Sequence, residues 1–242
     1  MNHLLRPPIL YKKVLEICNS ENYEKILYLS HVKKGHTVFD IGANAGNFTI
    51  LFSNIVGKKG KVFSFEAVPK TFEYLSRKVE SLKIQNVILE NLAVGDKQGN
   101  FNIYTPGNDS GQSSLMIQNR GSWKNSDIQK VTCSMVTLDK FIKKNNIERL
   151  DFIKCDIEGA ELMALKGGSK SLIKFRPRVL LEINSDWTKA FDYTPKEILK
   201  YLHEIGYNSF TIADQNFKKH DLESACCLDF SKGGHNIFCT CS

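Results

Sequence analysis

From residue 37 onward the chain alternates two kinds of apolar pattern. One is a short, nearly continuous run: Thr37 to Gly42 (TVFDIG), Lys61 to Glu66 (KVFSFE), Asn86 to Asn91 (NVILEN), Arg149 to Ile157 (RLDFIKCDI) and Arg178 to Asn184 (RVLLEIN). Unbroken hydrophobicity over so few residues marks a strand covered on both faces. The other pattern has helical spacing. Asn47 to Val56 closes at Gly57, Pro69 opens a helix to about Lys83, and Thr137 caps one through Asn145. Ala160 to Leu165 ends near Gly167-Gly168 and continues as a second piece to Phe175; Pro195 opens a helix that stops at Gly206. Proline suits a first helical turn and glycine a last one. Phe101 to Tyr104, Lys130 to Val136, Tyr207 to Ala213 and Asn236 to Thr240 also read as strands.

Strands alternating with helices predict an α/β fold, a mainly parallel sheet with helices on both faces. The last two strands are joined by a long connection without a clear crossover helix, which lets the final strand run antiparallel. The expected architecture is therefore three-layer αβα, a seven-stranded doubly wound sheet with its last strand reversed. Ligands in such sheets lie beyond the carboxyl ends of the strands, at the switch point. Residues 1–36 read as an N-terminal helical cap and residues 37–242 as the one large domain. The polar stretch at 105–129 has the composition of a long loop, either a surface insertion or a functional segment. Its glycines, Ser113, Ser114 and Trp123 suggest a substrate lid offering hydroxyl contacts and stacking.

Composition narrows the class. A chain of 242 residues, 42% hydrophobic and 24% charged, suits one soluble globular domain with a sizeable core. No apolar run is long enough to span a bilayer, and the N-terminus lacks the pattern of a signal peptide, so a cytoplasmic location is expected. The formal charge of +7 is scattered, with no basic block or aromatic-laced stripe. It reads as a solvated face and argues against nucleic acid as a partner. Seven cysteines without a secretion signal are expected as free thiols. The cluster Cys226, Cys227, Cys239 and Cys241 matches no common zinc spacing and reads as structural.

Four strand ends carry the chemistry. In VFDIGANAGNF, Asp40 ends a strand and Gly42, Ala43, Asn44, Gly46 and Asn47 lead into a helix. Glycines here permit a tight turn and close approach of a ligand. The spacing is GxxxG, whereas a dinucleotide fingerprint is GxGxxG. An acid two positions before the first glycine is a poor neighbour for pyrophosphate and a good one for the ammonium and sulfonium of S-adenosylmethionine. Glu66, followed by Ala67, ends the second strand, where a carboxylate can accept from both ribose hydroxyls. In NLAVGD, Asn91 and Ala93 fall where adenine should lie; Asn91 is either an adenine contact or a turn former. In DFIKCDIEGAEL, Asp156 closes a strand and Glu158 and Glu161 follow. The helix dipole accounts for Glu161 but not for Asp156.

Together FDIGANAG, FEAVP, the TLD of Thr137 to Asp139 and KCDIEGAELMALKGG resemble the FkbM-type methyltransferase family, from about Thr37 to Thr240. Cys155 stands where the family more often has an aliphatic residue. The resemblance implies the methyltransferase version of the Rossmann-like sheet and O-methylation of a hydroxyl on a sugar, glycan or polyketide-type metabolite. The run CDIEG stands where base amino-methylating enzymes carry an Asn/Asp-Pro-Pro-aromatic run, and no cysteine adjoins a proline as a cytosine-methylating nucleophile would. A hydroxyl is a weak acid and needs a base or a metal. An antiparallel last strand would bring its start, Gly233-Gly234-His235-Asn236, towards Asp156 and Glu182. Asp156, Glu182 and His235, with Glu158 as helper, are thus the expected catalytic group. His235 is the preferred base for its near-neutral pKa; it can equally be a turn residue. A divalent cation on Asp156, Glu182 and His235 is the alternative, less favoured because hard metals gather more oxygen ligands. A cofactor-binding protein without catalysis, a nucleic-acid methyltransferase and an NAD-linked enzyme are the competing classes.

Overall fold

The structure, a computed structural model, describes residues 23–107, 110–118, 123–214, 216–232 and 234–241. In chain order the elements are α1 (Glu24–His31), β1 (Thr37–Ile41), α2 (Asn47–Val56), β2 (Lys61–Phe65), α3 (Pro69–Ser81), β3 (Val87–Glu90), β4 (Ala93–Val94), β5 (Gly99–Pro106) and β6 (Ile128–Val136). Then follow α4 (Leu138–Lys144), β7 (Phe152–Cys155), α5 (Glu161–Gly167), α6 (Ser169–Phe175), β8 (Arg178–Ile183), α7 (Ser185–Lys189), α8 (Pro195–Glu204), β9 (Ser209–Ile212), β10 (Lys219–His220), α9 (Leu222–Cys226) and β11 (His235–Thr240). Of the expected cap, the part before residue 23 lies outside the described residues; α1 is its helical remainder.

The helix ends follow local chemistry. The Thr137 hydroxyl accepts from the Lys140 N–H and caps α4. Thr194 and Glu197 form a capping box at α8, with Pro195 in the first turn.

The main sheet has the order β10-β9-β11-β8-β7-β1-β2-β3. The run β8-β7-β1-β2-β3 is parallel, and β11 is antiparallel to both β8 and β9. Its eight strands are one more than the seven expected. The extra one, β10, is a two-residue edge strand pairing Lys219 with Thr211 and His220 with Phe210. Two residues carry no readable period, so it left no pattern in the sequence. The strand order reverses between β1 and β7, which opens a crevice at their carboxyl ends. The strands at 99–106 and 128–136 join β4 in a separate three-stranded sheet, β4-β6-β5. They pair antiparallel from Gly99 with Met135 to Pro106 with Ile128, so the expected loop is the shorter connection between two long strands.

The two faces of the main sheet bury different sets. Phe39, Ile41, Ile153, Leu181, Ile183 and Ile237 face α4, α5, α6 and α8 in the larger core. Val38, Phe152, Leu180 and Phe238 face α1 and α2 in the smaller one. On that smaller face Tyr28 of α1 packs against the rings of Phe48, Phe52 and Phe152, at centroid distances of 5.2, 4.9 and 5.8 Å. Strand alternation puts Asp40, Lys154 and Glu182 on the α1/α2 face, interleaved with those apolar residues.

Candidate active site

The turn after β1 is built by contact. Gly42 has φ +82°, and a Cβ there would lie 1.9 Å from the Asp156 carbonyl oxygen, so the turns after β1 and β7 touch. Gly46, at φ +79° before α2, would drive a Cβ to 2.3 Å from Leu75 Cδ1. A larger residue at either site would force the two turns, or α2 and α3, apart. The result is a cleft beyond the carboxyl ends of β1, β2 and β7. Gly42, Asn44, Glu66, Asp156 and Glu158 line its polar side; Leu92, Ala93, Ile103 and Ile157 line its apolar side.

Glu66 is the best-organised group in the cleft. Its Oε2 accepts from the Asn44 N–H at 2.8 Å and its Oε1 from the Val68 N–H at 2.9 Å. Burial raises its pKa, and those two N–H groups work against that rise. Each oxygen keeps a lone pair for one further donor. The Asn91 amide N–H group donates to the carbonyls of Glu66 (2.8 Å) and Ala67 (3.3 Å), tying β3's end to β2's. The apolar neighbours Leu92 and Ala93 line the cleft.

Asp40 lies beneath the cleft. It is fully buried, and the Thr49 hydroxyl donates to its Oδ2 at 2.6 Å. Its Oδ1 has no hydrogen-bond partner among the described residues. Burial raises its pKa, and Lys154 opposes the rise. Ala43 and Gly46 are buried in the turn, and Asn47 points away, where it accepts from Lys78 Nζ at 3.0 Å.

The expected catalytic group divides between the two faces. Lys154 Nζ donates to Asp156 Oδ2 at 3.0 Å and lies 5.0 Å from the centroid of the Phe48 ring. Burial disfavours this ammonium, but Asp156 and Asp40 outweigh it and raise the Lys154 pKa. Asp156 and Glu182 are neighbours: Asp156 foremost, and then burial, push Glu182 up to about 7. His235 is not with them. In the antiparallel register His235 pairs with Ile183 and Asn236 with Glu182. Paired residues share a face, so His235 falls on the larger-core face and Asn236 beside Glu182. The His235 ring packs edge-on to Phe230, and its Nε2 is 2.9 Å from the Asp229 carbonyl. Among the described residues no three His, Cys, Asp or Glu side chains gather in a metal-holding group.

The sequence reading missed Lys154, which looks like an ordinary charged residue in FIKCD. Its only signal is a charge inside an otherwise apolar central strand. Glu161 is structural: its Oε1 accepts from the N–H groups of Ile157 (3.0 Å) and Gly159 (3.3 Å), and burial pushes it up to about 7.

The segment between β5 and β6 reaches the same cleft. Ser113, Ser114 and Leu115 line it. Ser114 bridges Tyr104 in antiparallel fashion and donates its hydroxyl to the Glu158 carbonyl at 2.8 Å. Trp123 is not offered for stacking. It is buried, edge-on to Trp187 at 6.1 Å, with its Nε1 unpaired among the described residues.

Comparison with known families decides the broader assignment. The model of the methyltransferase FkbM domain matches residues 40–209, more than half of the chain. The chain belongs to the FkbM methyltransferase family. Hexuronic acid methyltransferase AglP of Haloferax volcanii is 24% identical over 180 residues, covering 74% of this chain and 66% of that protein. The FkbM methyltransferase structure from Methylobacillus flagellatus KT aligns with a TM-score of 0.53 at 14% identity, over 84% of this chain and 43% of the other. A SAM-dependent methyltransferase from Aquifex aeolicus aligns with a TM-score of 0.50 at 18% identity, over 97% and 98%. The match thus spans just under two thirds of the curated relative and under half of the Methylobacillus chain. These structures share the fold of this FkbM family member.

The cleft fits S-adenosylmethionine chemically. Glu66 keeps two acceptor sites for hydroxyls, the Gly42 turn leaves the backbone bare, and Leu92, Ala93 and Ile103 offer an apolar slot. Asp156 adds a carboxylate to the lining, and Asp40 is enclosed beneath it.

Proposed function

We propose that the protein is an S-adenosylmethionine-dependent O-methyltransferase whose acceptor is a hydroxyl of a sugar, glycan or polyketide-type metabolite. One observation carries the reading: Asp156 belongs at once to the cleft and to a Lys154–Asp156–Glu182 group at its edge. A relative named for a hexuronic acid methyltransferase supports a sugar acceptor. No described helix is long and apolar enough to cross a membrane, and the free thiols suit a reducing, cytoplasmic setting.

When bound, the cofactor supplies a methyl group on a positively charged sulfur. Glu66 and Asn44 hold the ribose side of the cleft, and Asp156 and Glu158 line the opposite rim. The walls fix donor and acceptor in attack geometry, which is where most of the acceleration in such displacements arises. Of the neighbouring carboxylates Asp156 and Glu182, one takes the hydroxyl proton as its oxygen attacks. Lys154 holds Asp156 in place.

Cofactor turnover against a panel of glycans and hydroxylated metabolites tests this, with methyl position read by mass spectrometry. Asp156→Asn should lower kcat by about two orders of magnitude or more at saturating cofactor. His235→Ala, on the other face, should leave kcat at the wild-type value. Equal loss in both variants would overturn the assignment of the base.

A further inference from the structure

We infer that the groove between α3 and the β5–β6 pair is an acceptor subsite for an anionic group, a carboxylate or a phosphate, carried on a unit of the glycan other than the one that is methylated. The inference rests on the sugar O-methylation reading above and names the substrate feature that the groove selects.

The groove adjoins the cofactor cleft. Asn44 lines both; beyond it Lys70, Thr71, Tyr74 and Arg77 of α3 form one side of the groove, and Thr105 and Gln129 of the strand pair the other. The wall from groove to cleft is continuous. The Thr105 and Ser113 hydroxyls lie 2.9 Å apart, Ser113 lines the cleft, and Ser114 donates to the carbonyl of Glu158, which lines the cleft with Asp156. A glycan laid along that wall has one end in the groove and the other at Asp156.

The α3 side of the groove is rich in donors. The helix starts at Pro69 without a side-chain cap, so the first-turn N–H groups of Lys70 and Thr71 have no helical acceptor. Its 13 residues add the positive end of a dipole. Thr71 gives an independent sign of a ligand. It is buried but for 6% of its surface, and its hydroxyl makes no hydrogen bond among the described residues. The hydroxyl is not sealed in, and the part of Thr71 left open lines the groove. A nearly buried hydroxyl without a partner is uncommon, and a ligand oxygen satisfies it.

Charge points the same way. Lys70 and Arg77, seven residues apart on one helical face, are exposed and in no ion pair among the described residues. Glu73 is the acid of the described lining, set against these two cations. Tyr74 lies between them in sequence, 52% exposed, and offers its ring to the apolar side of a sugar. An anion here accepts from the two N–H groups, the Thr71 hydroxyl and the cations, in charge-assisted bonds that a neutral hydroxyl does not make.

The test uses the full chain with S-adenosylmethionine and three matched disaccharides whose second unit is neutral, carries a carboxylate or carries a phosphate. Mass spectrometry reads which unit is methylated. Binding of each disaccharide beside S-adenosylhomocysteine is measured by calorimetry in parallel. The better anionic member should exceed the neutral one in kcat/KM by at least about tenfold at low salt, through KM, with a gap that narrows as ionic strength rises. The two anionic arms tell which group the groove takes. The combined substitution Lys70→Gln with Arg77→Gln should close most of the gap, and Thr71→Val should narrow it. Anionic members handled no better than the neutral one, or a gap that survives the combined substitution, overturn the groove inference and leave O-methylation standing. Anion-dependent binding that the combined substitution abolishes, without turnover, overturns O-methylation and keeps the groove as an anion site. Neither binding nor turnover of any member overturns both.

Discussion

Glu66 shows how much one side chain can organise. Its carboxylate fastens the turn after β1 through Asn44 and its own turn through Val68, and still presents two lone pairs to the cleft. Removing it should take away charge-assisted bonds of about 1.5–3 kcal/mol in all. Glu66→Ala should therefore weaken S-adenosylmethionine roughly tenfold to hundredfold by calorimetry. An unchanged affinity would place the ribose elsewhere. Glu182 gives the second prediction at this scale. With Asp156 beside it and its pKa near 7, it is protonated below neutrality and ionised above. If the pair must hold one free carboxylate site for the acceptor proton, kcat climbs as pH rises from about 6 to 8 and then levels. Glu182→Gln should erase that limb while the wild-type protein shows it; a pH profile with the limb intact in the variant assigns it to another group.

At the scale of elements, the β5–β6 pair and its connection form the wall of the cleft. Trp123 anchors that connection by burying its ring against Trp187 of α7, while Ser114 is fixed to Tyr104 and to the Glu158 carbonyl. We propose that the segment acts as a lid fastened at these points. Trp123→Ala should cost about 3–5 kcal/mol of stability, the usual range for a buried aromatic. Because Ser113, Ser114 and Leu115 line the same cleft as Glu66, cofactor affinity should fall while acceptor KM rises. A lid serving the acceptor alone would leave cofactor affinity untouched in this variant, and equilibrium binding separates the two cases.

For the whole molecule, the enclosed acids make stability depend on pH in an unusual direction. Glu161 has a folded pKa near 7, above its ordinary value of 4.5. Such a group stabilises the fold fully below about 4.5, and that contribution is lost as pH rises through about 7. Gln in its place keeps an oxygen for the Ile157 and Gly159 N–H groups and carries no charge. The melting temperature of Glu161→Gln should therefore fall less between pH 5.5 and 8.5 than that of the wild type, by differential scanning calorimetry at a few buffers in that range. Parallel melting curves would mean that Glu161 keeps an ordinary pKa in the fold.

The sequence by itself determined the elements and the cofactor side of the site. Short apolar runs bounded by turn residues read as strands buried on both faces, and GxxxG after a strand reads as a tight turn, so Asp40, Gly42 and Glu66 fall at strand ends on local grounds. The two-residue strands β4 and β10 and the short helices α7 and α9 carry too few residues to show a period. The acceptor side was decided by tertiary structure. Which face a strand residue takes depends on register, and the register of β11 against β8 separated His235 from Glu182 by a single residue. Burial, which no local pattern reports, made Lys154 part of the group with Asp156 and Glu182. Likewise Asn91 reads as a ligand contact or a turn former until the fold puts the carbonyls of Glu66 and Ala67 within reach of its amide. Local propensity acts along the chain, whereas the pairing of charges across a sheet is fixed only when distant strands meet.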